Sequence, residues 1–503
     1  MFRIIYLLTI LLTSPLVQCT SDAPPLPAER VKTQWATHLD ELLDTTHRLD
    51  SLLHHPAAAD TLQQAFLTAR LAYKRVEPLL EHYNPELAKK LNGPAIDKHD
   101  LEAAERKVWT ATGFQVVEEY LFPQVDRTQQ AEASKQTAIL LGHLRVYRRD
   151  ADALWLSDRN IFEALRLEPL RIMSLGISGF DSPVAFASLS EASAALEGMR
   201  DIITPYQSSP ADKAANPLLR AIDRAHAFLR QPVSFDDFDR LAFIKDYLDP
   251  VSRELYAYQQ HLGIANTPWP TAVNLTKSSF LEEDVFNPDF FAPTFNRNAT
   301  PEAVALGKTL FYEPMLSGNN QRSCASCHAP ERAFTDGLVK SMALNGRDEI
   351  PRNAPTVINA TFQRVQFYDS RINFLEGQVA DVVANPDEMH GSVEEAAAKL
   401  SASPEYRRRF QRAYSQGSIT PQNVQNAIAA YVRSLSSLNA PFDQYQGAMS
   451  RRSPRGRFEG LTSTWARASA LPVTLCRCST ARCPLAITTP NRRYWACQLA
   501  MIR

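Results

Sequence analysis

Between residues 28 and 265 the apolar positions recur at helical steps. In "TLQQAFLTARLAYKRVEPLLEHY" Leu62, Phe66, Leu71 and Tyr73 follow a three- to four-residue rhythm, glycine is scarce, and no alternating strand pattern competes. The pattern predicts amphipathic helices packed as a bundle. From 266 to 300 the text changes to Pro, Asn and aromatic residues, as in "NTPWPTAVNL" and "FNPDFFAPTFNRNATPE". This segment reads as an ordered connector, because the phenylalanines from Phe280 to Phe295 are costly to leave in water. A second helical region, 301–446, begins at Thr300-Pro301, an N-cap followed by proline at the first helical position. Ser392 with Glu395, Ser403-Pro404 and Thr420-Pro421 mark three further helix starts. The expected class is all-α, in two domains.

Length and composition agree with this division. A chain of 503 residues exceeds one ordinary core, and 45% hydrophobic with 22% charged residues suits a globular protein. The formal net charge of -1, from 54 Lys+Arg against 55 Asp+Glu, offers phosphate backbones no general attraction, so nucleic acid is not an expected partner. Residues 1–19, "MFRIIYLLTILLTSPLVQC", have one basic residue, Arg3, and then an apolar run too short to span a bilayer. That is the shape of an export signal, with a buried first helix as the competing reading. Leu16-Val17-Gln18-Cys19 resembles a bacterial lipoprotein box, although Gln18 stands where a small residue is usual; a lipid anchor at Cys19 and plain secretion both stand. Either route implies the periplasm or cell envelope.

The stretch "GFQVVEEYLFP", Gly113 to Pro123, resembles the Gly-x-His-x-x-Glu motif of imelysin-like helical domains, with Gln115 in place of the histidine. Glu118 alternatively belongs to an ordinary helix face exposed to solvent.

The chemistry lies in "SCASCH", Ser323 to His328. Between the signal and the last thirty residues Cys324 and Cys327 are the only thiols. Zinc would need a second ligand pair, yet the only histidine after His328 is His390, and no cysteine follows before Cys476. A thioredoxin-type dithiol would need strand–helix alternation around it, which is missing. Cys-x-x-Cys-His is the pattern of covalent haem c attachment: two thiols add across the vinyl groups and the adjacent imidazole binds iron. Cys324, Cys327 and His328 are therefore the expected cofactor residues, with a structural disulfide as the competing reading.

With "LGKTLFYEPMLSGNNQRSCASCHAPERAFTDGL" upstream and "RNAPTVINATFQRVQFYDSRINFLEGQVADVVANPDEMH" downstream, residues 301 to 445 resemble the first haem domain of bacterial di-haem cytochrome c peroxidases and the related methylamine-utilisation di-haem enzymes. The resemblance implies reduction of hydrogen peroxide to water with electrons from a small cytochrome or similar donor. It assigns Glu388 and Gln378 to the peroxide pocket, where one carboxylate can take and return a proton. It also matches Asn353 to a calcium ligand and Tyr368 to an aromatic residue between the haems. Each of these positions has an ordinary reading too: a turn acid, a surface glutamine, a turn-capping asparagine. Many family members carry a histidine in the loop before "NAPT"; "VKSMALNGRDEIPRN" has none, though Met342 is there, which predicts an iron open without reductive activation. The rival readings are a single-haem electron-transfer protein, with Met342, Met389 or His390 as sixth ligand, and a non-enzymatic envelope binding module.

The family uses a second Cys-x-x-Cys-His, and this sequence has none. Residues 447–503, rich in Arg and containing Cys476, Cys478 and Cys483, show no helical period. Regrouping the bases that encode Gly460 to Leu485 two positions later lets Ala470, Val473 and Thr474 supply cysteine, cysteine and histidine at the missing spacing. The expectation is a C-terminal haem domain truncated by a frameshift, with activity impaired by loss of the second haem.

Overall fold

The computed structural model describes residues 25–438, apart from 101–106, 210, 211, 283, 294–296, 298, 364 and 368–370, and apart from the side chains of 98–100 and 107. Residues 1–19 with Cys19, Tyr368 and the tail from 447 to 503 with its cysteines lie outside the described residues.

The first half is a helical assembly: α1 (Pro27–His54), α2 (Ala59–Tyr83), α3 (Pro85–Asn92), α4 (Phe114–Leu121), α5 (Gln130–Ala151), α6 (Asp158–Arg171), α7 (Ser188–Ile203), α8 (Asn216–Leu229), α9 (Arg240–Ala242) and α10 (Asp249–His261). Helix α1 packs on α2 and α5, and α2 packs on α7. Leu62, Phe66 and Tyr73 face this core, but Leu71 is 36% exposed. Five residues on from Phe66, Leu71 has rotated off the stripe that Ala69, Tyr73 and Leu80 continue. Strands β1 (Lys98–Asp100) and β2 (Lys107–Trp109) form an antiparallel pair that the apolar pattern did not reveal, being three residues each.

The expectation of a solvated Glu118 is overturned. It is 1% exposed, and its Oε1 accepts hydrogen bonds from Ser182 Oγ at 2.9 Å, Ala185 N at 2.7 Å and Val184 N at 3.3 Å. The period of α4 is blind to this, because the partners come from a loop more than sixty residues away. Burial pushes the Glu118 carboxyl up to about 7, against the pull of Arg70. Gln115 is buried beside it and donates to the Asn92 carbonyl at 3.0 Å. Around them lies a buried ionic network in which Arg70 grips Glu191 at 2.7 and 2.6 Å, and Lys74 pairs with Glu77 at 2.8 Å and with Asp181.

The second half contains α11 (Pro301–Phe311), α12 (Leu375–Ala384), α13 (Val393–Ala402), α14 (Pro404–Ala413) and α15 (Pro421–Ser434). Thr300, Ser392 and Thr420 cap their helices as expected, accepting from Ala303 N, Glu395 N and Asn423 N at 3.0 to 3.1 Å. Ser403 makes no side-chain cap, and Pro404 alone marks that start. Helices α11 and α15 form the main contact of this half. Gly307 makes it possible, since an added Cβ would overlap the Ala427 carbonyl oxygen.

The connector runs between the halves and is packed on both. Arg166 of α6 reaches the Leu275 and Lys277 carbonyls, while Thr361 Oγ1 donates to the Pro288 carbonyl at 2.9 Å. Phe286 and Phe291 of the connector meet Phe362, with ring centroids 6.1 and 6.2 Å apart. No helix among the described residues is long and apolar enough to cross a membrane.

Candidate functional site

After α11 the chain turns at Pro314–Leu316 and arrives at the cysteines, which sit on a single 3₁₀ turn, Cys324–Ser326. Cys327 N and His328 N both bond to the Cys324 carbonyl, at 3.2 and 3.0 Å. Ser323 and Ser326 brace the turn from each side, Ser326 Oγ accepting from Ser323 N at 3.1 Å. The two thiols are free and do not form the competing disulfide. Cys324 packs among the apolar side chains of the second half, and burial pushes its thiol up to about 12; burial also raises that of Cys327.

His328 Nδ1 lies 3.0 Å from the Phe334 carbonyl oxygen. With Nδ1–H donated there, Nε2 keeps its lone pair for a metal, the second-partner arrangement usual for ligating histidines. Burial lowers the tendency of this imidazole to protonate. The carbonyl is aimed by an uncommon turn in which Ala333 and Phe334 both have positive φ, 53° and 58°. Phe311 stands beside the imidazole, ring centroids 6.4 Å apart, and beside Phe334 at 6.2 Å. Two adjacent thiols, one buried imidazole and an aromatic wall are a donor set that fits a covalently held haem.

The second group of predicted residues is on α12 and the turn after it. Asn385 builds that turn: its carbonyl accepts from Glu388 N, Met389 N and His390 N at 3.1, 3.1 and 2.9 Å. Its Nδ2 donates to Glu388 Oε1 at 2.9 Å. Met389, 2% exposed, anchors the turn in the core, while His390 is exposed with φ of 46°. Glu388 itself is half-buried. Burial raises its carboxyl above the usual range and Asp381 adds to this, whereas Asn385, Arg371 and Arg322 oppose it. Arg371 also holds Asp381 at 2.7 Å. Gln378 lies on α12 three residues before Asp381, the residue whose charge acts on Glu388.

Glu388 and the cysteine turn meet across Arg322: both the Cys327 thiol and the Glu388 carboxyl feel its charge. The structure thus brings Cys324, Cys327, His328 and Glu388 into one region, and Gln378 is on the helix that leads to the Glu388 turn. Asn353 is an exposed residue after Arg352, whose carbonyl accepts from Ser341 N at 3.1 Å. Among the described residues no cluster of three or more His, Cys, Asp or Glu side chains is arranged to hold a metal ion.

Sequence reasoning missed Arg322, Phe334, Asp381 and Arg371. A further missed feature lies beneath α12: Arg433, 2% exposed, pairs with Glu376 at 2.8 Å and with Asp289 of the connector at 3.6 Å, and Asn426 Nδ2 also donates to Glu376 at 3.2 Å.

Residues 301–450 match the family described as di-haem cytochrome c peroxidase. The chain is 38% identical over 147 residues to the methylamine utilization protein MauG of Methylorubrum extorquens, covering 29% of this chain and 41% of that protein. It is 35% identical over 149 residues to the cytochrome c551 peroxidase of Nitrosomonas europaea, covering 29% and 44%. With the MauG of Methylophilus methylotrophus the identity is 30% over 208 residues, covering 41% and 60%. The chain therefore spans less than two thirds of the length of each of these relatives.

Proposed function

From the match of residues 301–450 to the di-haem cytochrome c peroxidase family, we propose that this chain binds haem c through Cys324, Cys327 and His328 and reduces hydrogen peroxide to water, taking electrons from a small cytochrome-type donor. The observation that carries the reading is the meeting of the cysteine turn with a half-buried, hydrogen-bonded Glu388 across Arg322. When bound, haem c supplies the electron reservoir and the Lewis-acidic iron that the reaction needs.

The protein's own groups manage protons. Ionised Glu388 takes the proton from one peroxide oxygen and returns it to the other, which leaves as water; two electrons and two protons complete the balance to two waters. Asn385 Nδ2 holds the carboxylate in place for both transfers. Gln378 supplies an amide to orient the peroxide. His328 would hold the iron through Nε2, since the Phe334 carbonyl occupies Nδ1.

Several narrower expectations belong to the same proposal. Export through residues 1–19, with or without a lipid at Cys19, puts the protein in the cell envelope. A calcium ion at Asn353 would draw mainly on carbonyl oxygens. The imelysin-like likeness of the first half rests on the Gly113 to Pro123 motif alone. The frameshift reading of residues 447–503 leaves one haem in this chain and slow turnover, and DNA sequencing across codons 447–453 decides it.

The test is peroxide-dependent oxidation of a reduced cytochrome by the haem-loaded chain, beside Glu388→Gln. The substitution is expected to lower kcat/KM for peroxide roughly 10²- to 10⁴-fold with haem content unchanged. Wild-type turnover in that variant refutes the reading.

A further inference from the structure

Arg322 immediately precedes the Ser323–His328 motif, and its side chain does something the motif does not require. Nη1 donates to the Met342 carbonyl at 3.0 Å and to the Glu388 carbonyl at 3.3 Å, while Nη2 donates to the Ala343 carbonyl at 2.9 Å. One planar guanidinium thus joins three segments: the cysteine turn, the 342–343 stretch and the turn bearing Glu388.

The surrounding backbone makes this a built junction. Arg322 N and Gln321 N both bond to Ser317 Oγ, at 3.1 and 3.2 Å, and Ser317 is fully buried. Next to it, Gly318 N donates to the Met389 carbonyl at 2.9 Å, and an added Cβ at Gly318 would overlap the His390 carbonyl oxygen. Leu344 N takes the Asp387 carbonyl at 2.7 Å. Four successive carbonyls, from Asp387 to His390, are therefore seated on the segments that flank the cysteines. Arg322 is the side chain that closes this seating at Glu388 itself.

We infer that Arg322 is a positioning residue for peroxide reduction, clamping the Glu388 turn against the haem-attachment turn so that the carboxylate meets the substrate at a fixed place. The inference rests on the reading of Glu388 as the proton carrier. The clamp needs the fork: a lysine ammonium is a compact charge that can serve one or two of these carbonyls, whereas an apolar side chain serves none. A displacement of about 1 Å in a catalytic group costs on the order of 10²-fold in rate, so loosening the turn acts on kcat.

The experiment uses the full-length, haem-loaded chain as wild type, Arg322→Met, Arg322→Lys, Glu388→Gln and the Arg322→Met/Glu388→Gln double variant. It measures haem per chain, kcat, KM for the donor, and the rate at which hydrogen cyanide binds the ferric form, a step that also needs a base and does not depend on turnover. Arg322→Met is expected to lower kcat at least tenfold and to slow cyanide binding, with donor KM and haem content unchanged. Arg322→Lys is expected to recover part of both. The double variant is expected to be no worse than Glu388→Gln, because Arg322 acts through Glu388. If Arg322→Met takes up no haem, Arg322→Lys carries the test alone: a lowered kcat at full haem content supports the clamp and a wild-type kcat overturns it. Losses that multiply in the double variant also overturn it. Glu388→Gln with normal turnover sinks the proposed function, whereas a defective Glu388→Gln beside normal Arg322 variants sinks only the clamp.

Discussion

The Phe334 carbonyl oxygen accepts a hydrogen bond from His328 Nδ1 across 3.0 Å, and it is presented by two consecutive residues in the left-handed region. A non-glycine residue with positive φ costs roughly 1 kcal/mol, more when it is β-branched. Ala333→Gly is therefore expected to keep the turn and raise stability by up to about 1 kcal/mol, without loss of haem. Ala333→Val is expected to lower stability and to loosen the imidazole's orientation. Thermal unfolding and the near-infrared or paramagnetic signature of the haem–histidine bond check both.

With Glu388 as the proposed proton carrier, a pH profile of peroxide reduction follows from its surroundings. The carboxyl is raised above its ordinary value of about 4.3, chiefly by burial, and only its ionised form can take a proton. As pH falls the ionised form is lost earlier than for an exposed glutamate. The acid limb of kcat/KM is expected to have its midpoint above the usual carboxylate range, and Asp381→Asn is expected to move it down, since one raising charge is removed. A limb unaffected by Asp381→Asn would contradict this account.

Glu118 predicts a pH dependence of stability in the first half. Folded, its carboxyl is pushed up to about 7, while the unfolded chain titrates near the ordinary value. The folded state therefore holds a proton that the unfolded state has released, and the stabilisation present below the unfolded value is lost as pH rises through about 7. Hydrogen exchange at the amides of α4 in the full chain is expected to quicken from pH 5 to pH 8 beyond the intrinsic chemical rate. Glu118→Gln, which keeps an acceptor for Ser182 and Ala185, is expected to flatten that extra slope.

The Arg433–Glu376 pair lies beneath the helix that carries Gln378. Removing Glu376 leaves the buried Arg433 with only its 3.6 Å contact to Asp289, at a cost of up to about 3–5 kcal/mol. Glu376→Ala is expected to lower the melting temperature strongly, and an added Arg433→Leu is expected to restore part of the loss. A double variant as unstable as the sum of the two single variants would show that the charges do not act as a pair.

The helices and their starts were legible in the sequence because caps and periods are local: Thr300, Ser392 and Thr420 each cap within three residues. The cysteine turn was legible for the same reason, its residues being six adjacent letters closed by local hydrogen bonds. Arg322 was not, since its partners lie 20, 21 and 66 residues away and are main-chain carbonyls, which no residue type announces. Phe334 is similar, acting through an oxygen every residue has. Glu118 was misread because helix α4 is enclosed on all sides; its apolar period names one buried face, whereas Gln115 and Glu118 are buried as well, inside a polar network. Leu71 shows the opposite error, a large apolar residue assigned inward by type although its angular position turns it out.

The segment between the halves has a consequence for anyone wishing to divide the protein. Arg166 grips it from one side, Thr361 and Arg433 from the other, and Phe362 of the second half belongs to the core of the first half. A nick in this strap need not release either piece, and a fragment trimmed at residue 265 or begun at residue 301 would bare greasy aromatic surface where its neighbour had been. The two halves are better handled as co-dependent parts of one folded body than as beads on a string.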